Sequence, residues 1–248
     1  MAFFVPFNNR NLDVSFLVFK PTVVVVDQLI EALRHLSSCT QSLGCVQSSI
    51  LKSIHGNMIL WCGAWMKRSS ENKELLTTAL LPMLANTTNM AVLHEYCFFD
   101  AYAGESRNGF SATKFSTGDA VSIISLLSQS GNNFNELSYA NLAIFKSWFF
   151  KMDGATSGVC LKSQNTPRVV CLYAWKSLQH CYSWILNTDY RASMIPYLEP
   201  FSLDVKYDIF RVVYVSSENA VSYQQVPPNQ MLENGEGGKA KDQALMQQ

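Results

Sequence analysis

Charge is scarce in this chain. Asp, Glu, Lys and Arg make up 15% of its 248 residues, against about 25% in ordinary soluble domains. The formal net charge is zero and no basic stripe stands out, so the electrostatic footprint of a nucleic-acid binder is missing. Polybasic attachment to a membrane surface is excluded on the same ground. Long apolar runs are missing too. The valines at 23–26 are too few to span a bilayer. The opening MAFFVPFNNRN is too short for the apolar core of a secretory signal and has no basic residue before it. The expectation is a soluble protein of the cytoplasm or nucleus. Cysteine pairing is also missing. The seven cysteines are odd in number, include no Cys-x-x-Cys, and read as reduced, buried thiols. None has zinc-finger spacing. A Gly-rich phosphate loop, a Ser-His-Asp spacing and a paired-carboxylate motif are all absent. We therefore expect no metal and no cofactor.

Apolar residues are plentiful at 48%, with 12% aromatic, enough for a substantial core. Their arrangement repeats. LKSIHGNMILWCGAW at 51–65 and LKSQNTPRVVCLYAW at 161–175 share both ends, with Leu51 and Leu161, and Trp65 and Trp175, each 110 positions apart. Residues 12–20 alternate as a strand, and 22–43 read as a helix with Leu29, Ala32, Leu33 and Leu36 on one face. Strands follow at 46–54 and 58–67 around a His55-Gly56-Asn57 turn. Ser69 opens a second helix and 90–102 is a strand. The order β-α-β-β-α-β is a ferredoxin-like unit, spanning 12–102. The Gly-, Ser- and Thr-rich stretch 103–118 reads as a linker. The order then returns over 119–215, with strands at 119–127, 157–163, 168–176 and 203–215 and helices at 135–152 and 177–198. The polar residues 216–248 cannot bury enough surface to offset ordering and read as a disordered tail.

A four-stranded ferredoxin-like sheet has helices on one face only, so its other face needs cover. On the third strand Ile59, Trp61 and Trp65 share one face while Leu60, Cys62 and Ala64 share the other. Both faces are apolar. The expected fold is α+β, two ferredoxin-like βαββαβ units packed sheet-to-sheet as a pseudo-dimeric α/β barrel. Fusion of the two units predicts a monomer.

Trp175-Lys176-Ser177, followed by Tyr182, Trp184, Asn187, Tyr190 and Pro196, resembles the dimeric α/β-barrel superfamily in its antibiotic-biosynthesis-monooxygenase-like branch. The chain as a whole is also similar to a plant protein family to which no activity is attached. The superfamily resemblance implies a cavity between the sheet and the two helices of each unit. Trp65, Trp175, Ser15, Ser122 and Tyr190 would line it. Met194 stands where the haem-degrading branch has its iron-binding histidine, which implies no haem. Cofactor-free members use a His and Tyr pair as acid and base. His180, near Tyr182, is the candidate base, and His94 with Tyr96 is a second pair on one strand face. The expected function is a module that binds a small apolar ligand or docks a partner protein. The alternative is a cofactor-independent monooxygenase- or cyclase-like enzyme on an aromatic or polyketide-like substrate, active in the second half.

Overall fold

The structure, a computed structural model, describes residues 1–7, 11–24, 26–129, 134–186, 192, 194, 196–198, 201 and 203–216. The tail beyond Ser216 therefore lies outside the described residues. The chain opens with β1 (Ala2–Pro6), then runs β2 (Leu12–Pro21), α1 (Asp27–Gln41), β3 (Cys45–Ser53), β4 (Ile59–Met66), α2 (Ser70–Met83) and β5 (Ala91–Ser106). The second series is β6 (Ala112–Ser116), β7 (Ala120–Ser128), α3 (Phe134–Trp148), β8 (Ala155–Ser163), β9 (Arg168–Trp175), α4 (Leu178–Ile185) and β10 (Leu203–Val215). Helix α1 starts at Asp27, not at 22, because the β-branched run before it disfavours helical χ1 rotamers. Ser69 and Ser177 cap α2 and α4, each hydroxyl accepting a backbone N–H three residues on. Of the expected continuation of α4 to 198, residues 192, 194 and 196–198 are helical.

Eight strands form a closed barrel in the order β10-β3-β4-β2-β5-β8-β9-β7. Each ferredoxin-like unit contributes four neighbours, and the pairings β5–β8 and β10–β3 join the two units. The faces away from the helices fill the interior. Val14, Phe16, Leu60, Cys62, Val121, Leu161, Leu172 and Phe210 belong to one buried cluster there. The helix-side faces form separate clusters, one in the first unit and two in the second.

The segment expected to be a linker is largely strand. Strand β5 continues to Ser106, and β6 pairs antiparallel with β1. The resulting ribbon sits where β3 and β8 begin. Gln47 Oε1 accepts the Phe4 N–H (3.2 Å) and Ser157 Oγ accepts the Lys114 N–H (3.3 Å). Phe3, Val5, Phe7 and Phe115 join the interior cluster and close this end. Gly104 is required here, since a Cβ would collide with the Phe7 ring. The strand was hidden by its length of five residues and by a partner more than 100 positions away.

The two units meet in matching registers. Phe99, Asp100 and Ala101 oppose Ser163, Lys162 and Leu161, and pairing resumes past Tyr102 with Ala103 opposite Cys160. Phe210, Arg211 and Val212 oppose Ser53, Lys52 and Leu51, and pairing resumes past Val213 with Tyr214 opposite Ile50. Both hairpins carry an irregularity at their start, around Val46 and Thr156. In the ribbon, Phe4 opposes Lys114, its own counterpart 110 positions on, so this pair lies on the axis relating the units. Lys114 Nζ lies 5.6 Å from the Phe4 ring centroid. Glu95 and Lys206, which correspond as Phe99 and Phe210 do, also meet, at 3.1 Å. Two identical units would set like against like at both places.

Glu95 accepts from Arg168 as well, at 2.5 and 3.4 Å. Burial pushes its carboxyl upward, but the bonds and charges of Arg168 and Lys206 outweigh this and hold it below the ordinary 4.5. A depressed carboxyl pKa adds stability that is present above the unfolded value and is lost as pH falls through the folded one. Urea denaturation from neutral pH to below that ordinary value should show the wild type losing more stability than Glu95→Gln. Equal losses would mean that Glu95 is as well solvated in the folded chain as in the unfolded one.

Candidate functional site

Four of the residues named from sequence meet in two pairs. Trp65, on the last turn of β4's alternation, donates its indole N–H to Ser15 Oγ at 2.7 Å. Trp175, at the end of β9, donates to Ser122 Oγ at 2.9 Å. Both lie between sheet and helices, and both tryptophans are buried, at 1% and 3% exposure. Their surroundings are packed side chains: Trp61 and Phe98 touch Trp65, and Tyr173 touches Trp175. Tyr190 lies outside the described residues. Met194 packs against the helix-side core of the second unit.

His180 lies elsewhere, on the outer flank of α4. It lines a cavity of about 400 Å³ with Lys151, Asp153, Gln179, Ser183 and Trp184. Lys151 belongs to a 3-10 turn, Phe149–Lys151, that follows α3. His180 Nδ1 is 2.7 Å from Ser177 Oγ, which also accepts the His180 backbone N–H. Nε2 has no partner among the described residues. The ring packs on Gly154, whose φ is +80° and where a Cβ would collide with His180. Lys151 Nζ sits 4.5 Å from the Trp148 ring centroid, and the Trp148 and Trp184 centroids are 5.8 Å apart. The groove thus offers two cationic or donor groups, one carboxylate and an aromatic wall.

The first unit has the same glycine with a different cover. Gly44, 110 positions before Gly154, has φ +86°, and Arg68 Nη2 lies 2.8 Å from where its Cβ would be. Arg68 donates to the Leu43 carbonyl and covers this glycine as His180 covers the other.

The anticipated His180–Tyr182 pair does not form, because residues two apart on a helix do not share a face. Tyr182 OH instead lies 2.6 Å from His55 Nε2, at the tip of the β3–β4 hairpin of the other unit. His94 is exposed at a bulge, where pairing steps from Val18–Glu95 to Phe19–Leu93. The bulge interrupts the alternation that placed it beside Tyr96, whose OH is 3.2 Å from Thr77 Oγ1.

Two buried polar groupings were not anticipated. Asp13, 1% exposed, accepts from Gln164 Nε2 (2.7 Å) and pairs with Lys73 (3.0 Å), while Lys73 donates to Gln164 Oε1 (2.6 Å). Under α3, Cys160 and Cys171 lie with their sulfurs 3.4 Å apart. Asn141 Nδ2 is 3.2 Å from Cys171 Sγ and donates to Tyr102 OH at 2.8 Å. The signal for the thiol pair was in the hairpin: a four-residue loop between Ser163 and Arg168 puts 160 opposite 171. Among the described residues, no three His, Cys, Asp or Glu are grouped to hold a metal ion. None of the described helices is long and apolar enough to cross a membrane.

Residues 97–210 match the family model described as Domain of unknown function (DUF7392). That span begins in β5 and ends in β10, so it takes in α3, α4 and the second hairpin. No curated protein matches the sequence. Among solved structures, the chain is similar to an anthrone oxidase-like protein (TM-score 0.62, 12% identity, 86% of this chain and 96% of that one). It is also similar to a provisional monooxygenase of Fusobacterium nucleatum subsp. nucleatum (TM-score 0.60, 8% identity, 87% and 99%). A major regulator of staphylococcal pathogenesis gives a TM-score of 0.50 at 8% identity, over 79% and 97%. At such identities these proteins share a fold with the chain and not a demonstrated activity. That fold is a closed α/β barrel of two ferredoxin-like units, here both supplied by one chain.

Proposed function

We propose that the chain is a small-molecule-binding barrel whose site lies in the second unit, in the groove beside α4. The observation that carries this reading is the roughly 400 Å³ cavity at His180, within the 300–1,000 Å³ typical of ligand sites, where the first unit has Arg68 against Gly44. The lining refines the expected apolar ligand. Trp184 suits a planar ring, while Nε2 of His180 and the Lys151 ammonium suit a carbonyl, phenol or carboxylate on it. The matching registers and 110-residue spacing support an origin by internal duplication. The closed barrel, whose described strands leave no sheet edge of either unit unpaired, supports a monomer.

A thermal-shift panel of hydroxylated aromatic acids and ketones tests the site. Binders should raise the unfolding temperature of the wild type and of Arg68→Ala, and fail to do so in His180→Ala. A shift that survives in His180→Ala, or no shift with any compound, would remove the groove from consideration.

A second reading, a cofactor-independent oxygenase or cyclase, is favoured by the His55–Tyr182 contact. A phenol hydrogen-bonded to an imidazole can pass a proton to or from a bound substrate. Oxygen uptake or ring closure with a panel compound, lost in Tyr182→Phe, would support it over simple binding.

A further inference from the structure

We propose that Cys160 and Cys171 form a redox-reactive dithiol that a small hydroperoxide converts to a disulfide. The two residues are register partners on β8 and β9, and their sulfurs are in contact at 3.4 Å. Directly opposed strand positions hold their Cβ atoms about 4.5–5.5 Å apart, and a disulfide asks for about 3.5–4.5 Å. Closing the bond therefore requires a shift of about 1 Å and no change of register.

The pair lies in the helix-side core of the second unit and has polar partners there. Asn141 Nδ2 points at Cys171 Sγ from 3.2 Å, and Tyr102 from the first unit's last strand anchors that amide at 2.8 Å. The first unit is an internal control. Positions matching Cys160, Cys171 and Tyr102 hold Ile50, Trp61 and Val213. The fold is satisfied there by two aliphatic side chains and a tryptophan bonded to Ser37, so it does not require two thiols and a phenol in the second unit. The pair is also differentiated. Hydrogen bonds from Cys160 and then Asn141 hold Cys171 below the ordinary thiol value despite burial, while burial raises Cys160. Cys171 is thus the more acidic of the two thiols, the one to lose its proton and act as nucleophile, with Cys160 as the proton donor.

The steps balance. The Cys171 thiolate attacks one oxygen of the hydroperoxide, the O–O bond breaks, and the departing oxygen leaves as an alkoxide or hydroxide that takes a proton from solvent. Cys171 becomes a sulfenic acid. The Cys160 sulfur then attacks the Cys171 sulfur, the S–O bond breaks, and the hydroxyl leaves as water with the Cys160 proton. Two thiols lose two electrons in all and the peroxide gains them. At 0% and 3% exposure, the pair excludes bulky disulfides, which leaves hydrogen peroxide or a similarly small hydroperoxide as the oxidant.

The test treats the full chain with hydrogen peroxide under native conditions, alkylates remaining thiols in denaturant, and maps tryptic peptides without reduction. Lys162 and Arg168 lie between the two cysteines, so trypsin separates them and a cross-link is visible. The expected result is a Cys160–Cys171 linked peptide that disappears on adding a reductant. In Cys160→Ser, the same treatment should leave a sulfenic acid on Cys171 that dimedone traps. Recovery of both residues as alkylated thiols while Cys39 is oxidised would overturn the proposal. So would linkage of either to a different cysteine.

Discussion

Replacing Asp13 by Ala should destabilise the chain by about 3–5 kcal/mol, the cost typical of breaking a buried ion pair from one side. Asp13 is 1% exposed, and the Lys73 side chain only 18%. Removing the carboxylate would leave the Lys73 ammonium with Gln164 Oε1 as its polar partner among these residues. Lys67 lies 3.8 Å from Asp13 but has its own partner, Asp100, at 2.6 Å. The effect should not stay within one unit. Gln164 comes from the β8–β9 loop, so the network ties α2 and β2 of the first unit to the hairpin tip of the second. Urea denaturation would measure the loss. The double variant Asp13→Leu with Lys73→Met should recover much of it, since apolar replacements remove both desolvation penalties together. A loss under about 1 kcal/mol in Asp13→Ala would mean that water already solvates the site.

The His55–Tyr182 contact is the counterpart of this network. In each case a hairpin tip of one unit reaches the second helix of the other. One clasp is buried and ionic, while the other is an exposed hydrogen bond. The two units share a frame and differ in what they place at equivalent points, including Glu95 against Lys206 and Arg68 against His180.

That divergence explains what the sequence disclosed. The frame was legible because strand alternation and the 110-residue spacing are local patterns that survive in single letters. Trp65, Ser15, Trp175 and Ser122 were placed between sheet and helices by the superfamily resemblance, and the bonds that pair them were not foreseen. His55 with Tyr182 was not legible, because a turn residue and a helix residue 127 positions apart share no periodicity. The β1–β6 ribbon escaped likewise, since a five-residue strand is defined by its partner more than by its composition. Asp13 sat in an alternating strand as an ordinary polar residue, and nothing in LDVSFLVFK marks it as facing α2. The bulge at His94 overturned a face assignment that strict alternation had made.

Trp175→Ala separates the two meanings that a buried tryptophan between sheet and helices can have. As a core residue at 3% exposure it should cost about 3–5 kcal/mol, like other large aromatic truncations. Trp65→Ala should cost a similar amount in the first unit, where the same bond to a strand serine exists. Ser122→Ala removes only a hydroxyl, yet should cost about 1–3 kcal/mol, because the indole N–H is left buried without an acceptor. Combining Trp175→Phe with Ser122→Ala should then be less costly than the two single losses added, since both polar partners go at once. If Trp175 were the wall of an occupied pocket, the result would differ. Its truncation would cost well under about 2 kcal/mol, because solvent or ligand rather than packed atoms would border the ring, and it would abolish ligand-induced thermal shifts that His180→Ala spares. A large loss of stability with ligand shifts still governed by His180 would assign Trp175 to the core and leave recognition to the groove beside α4.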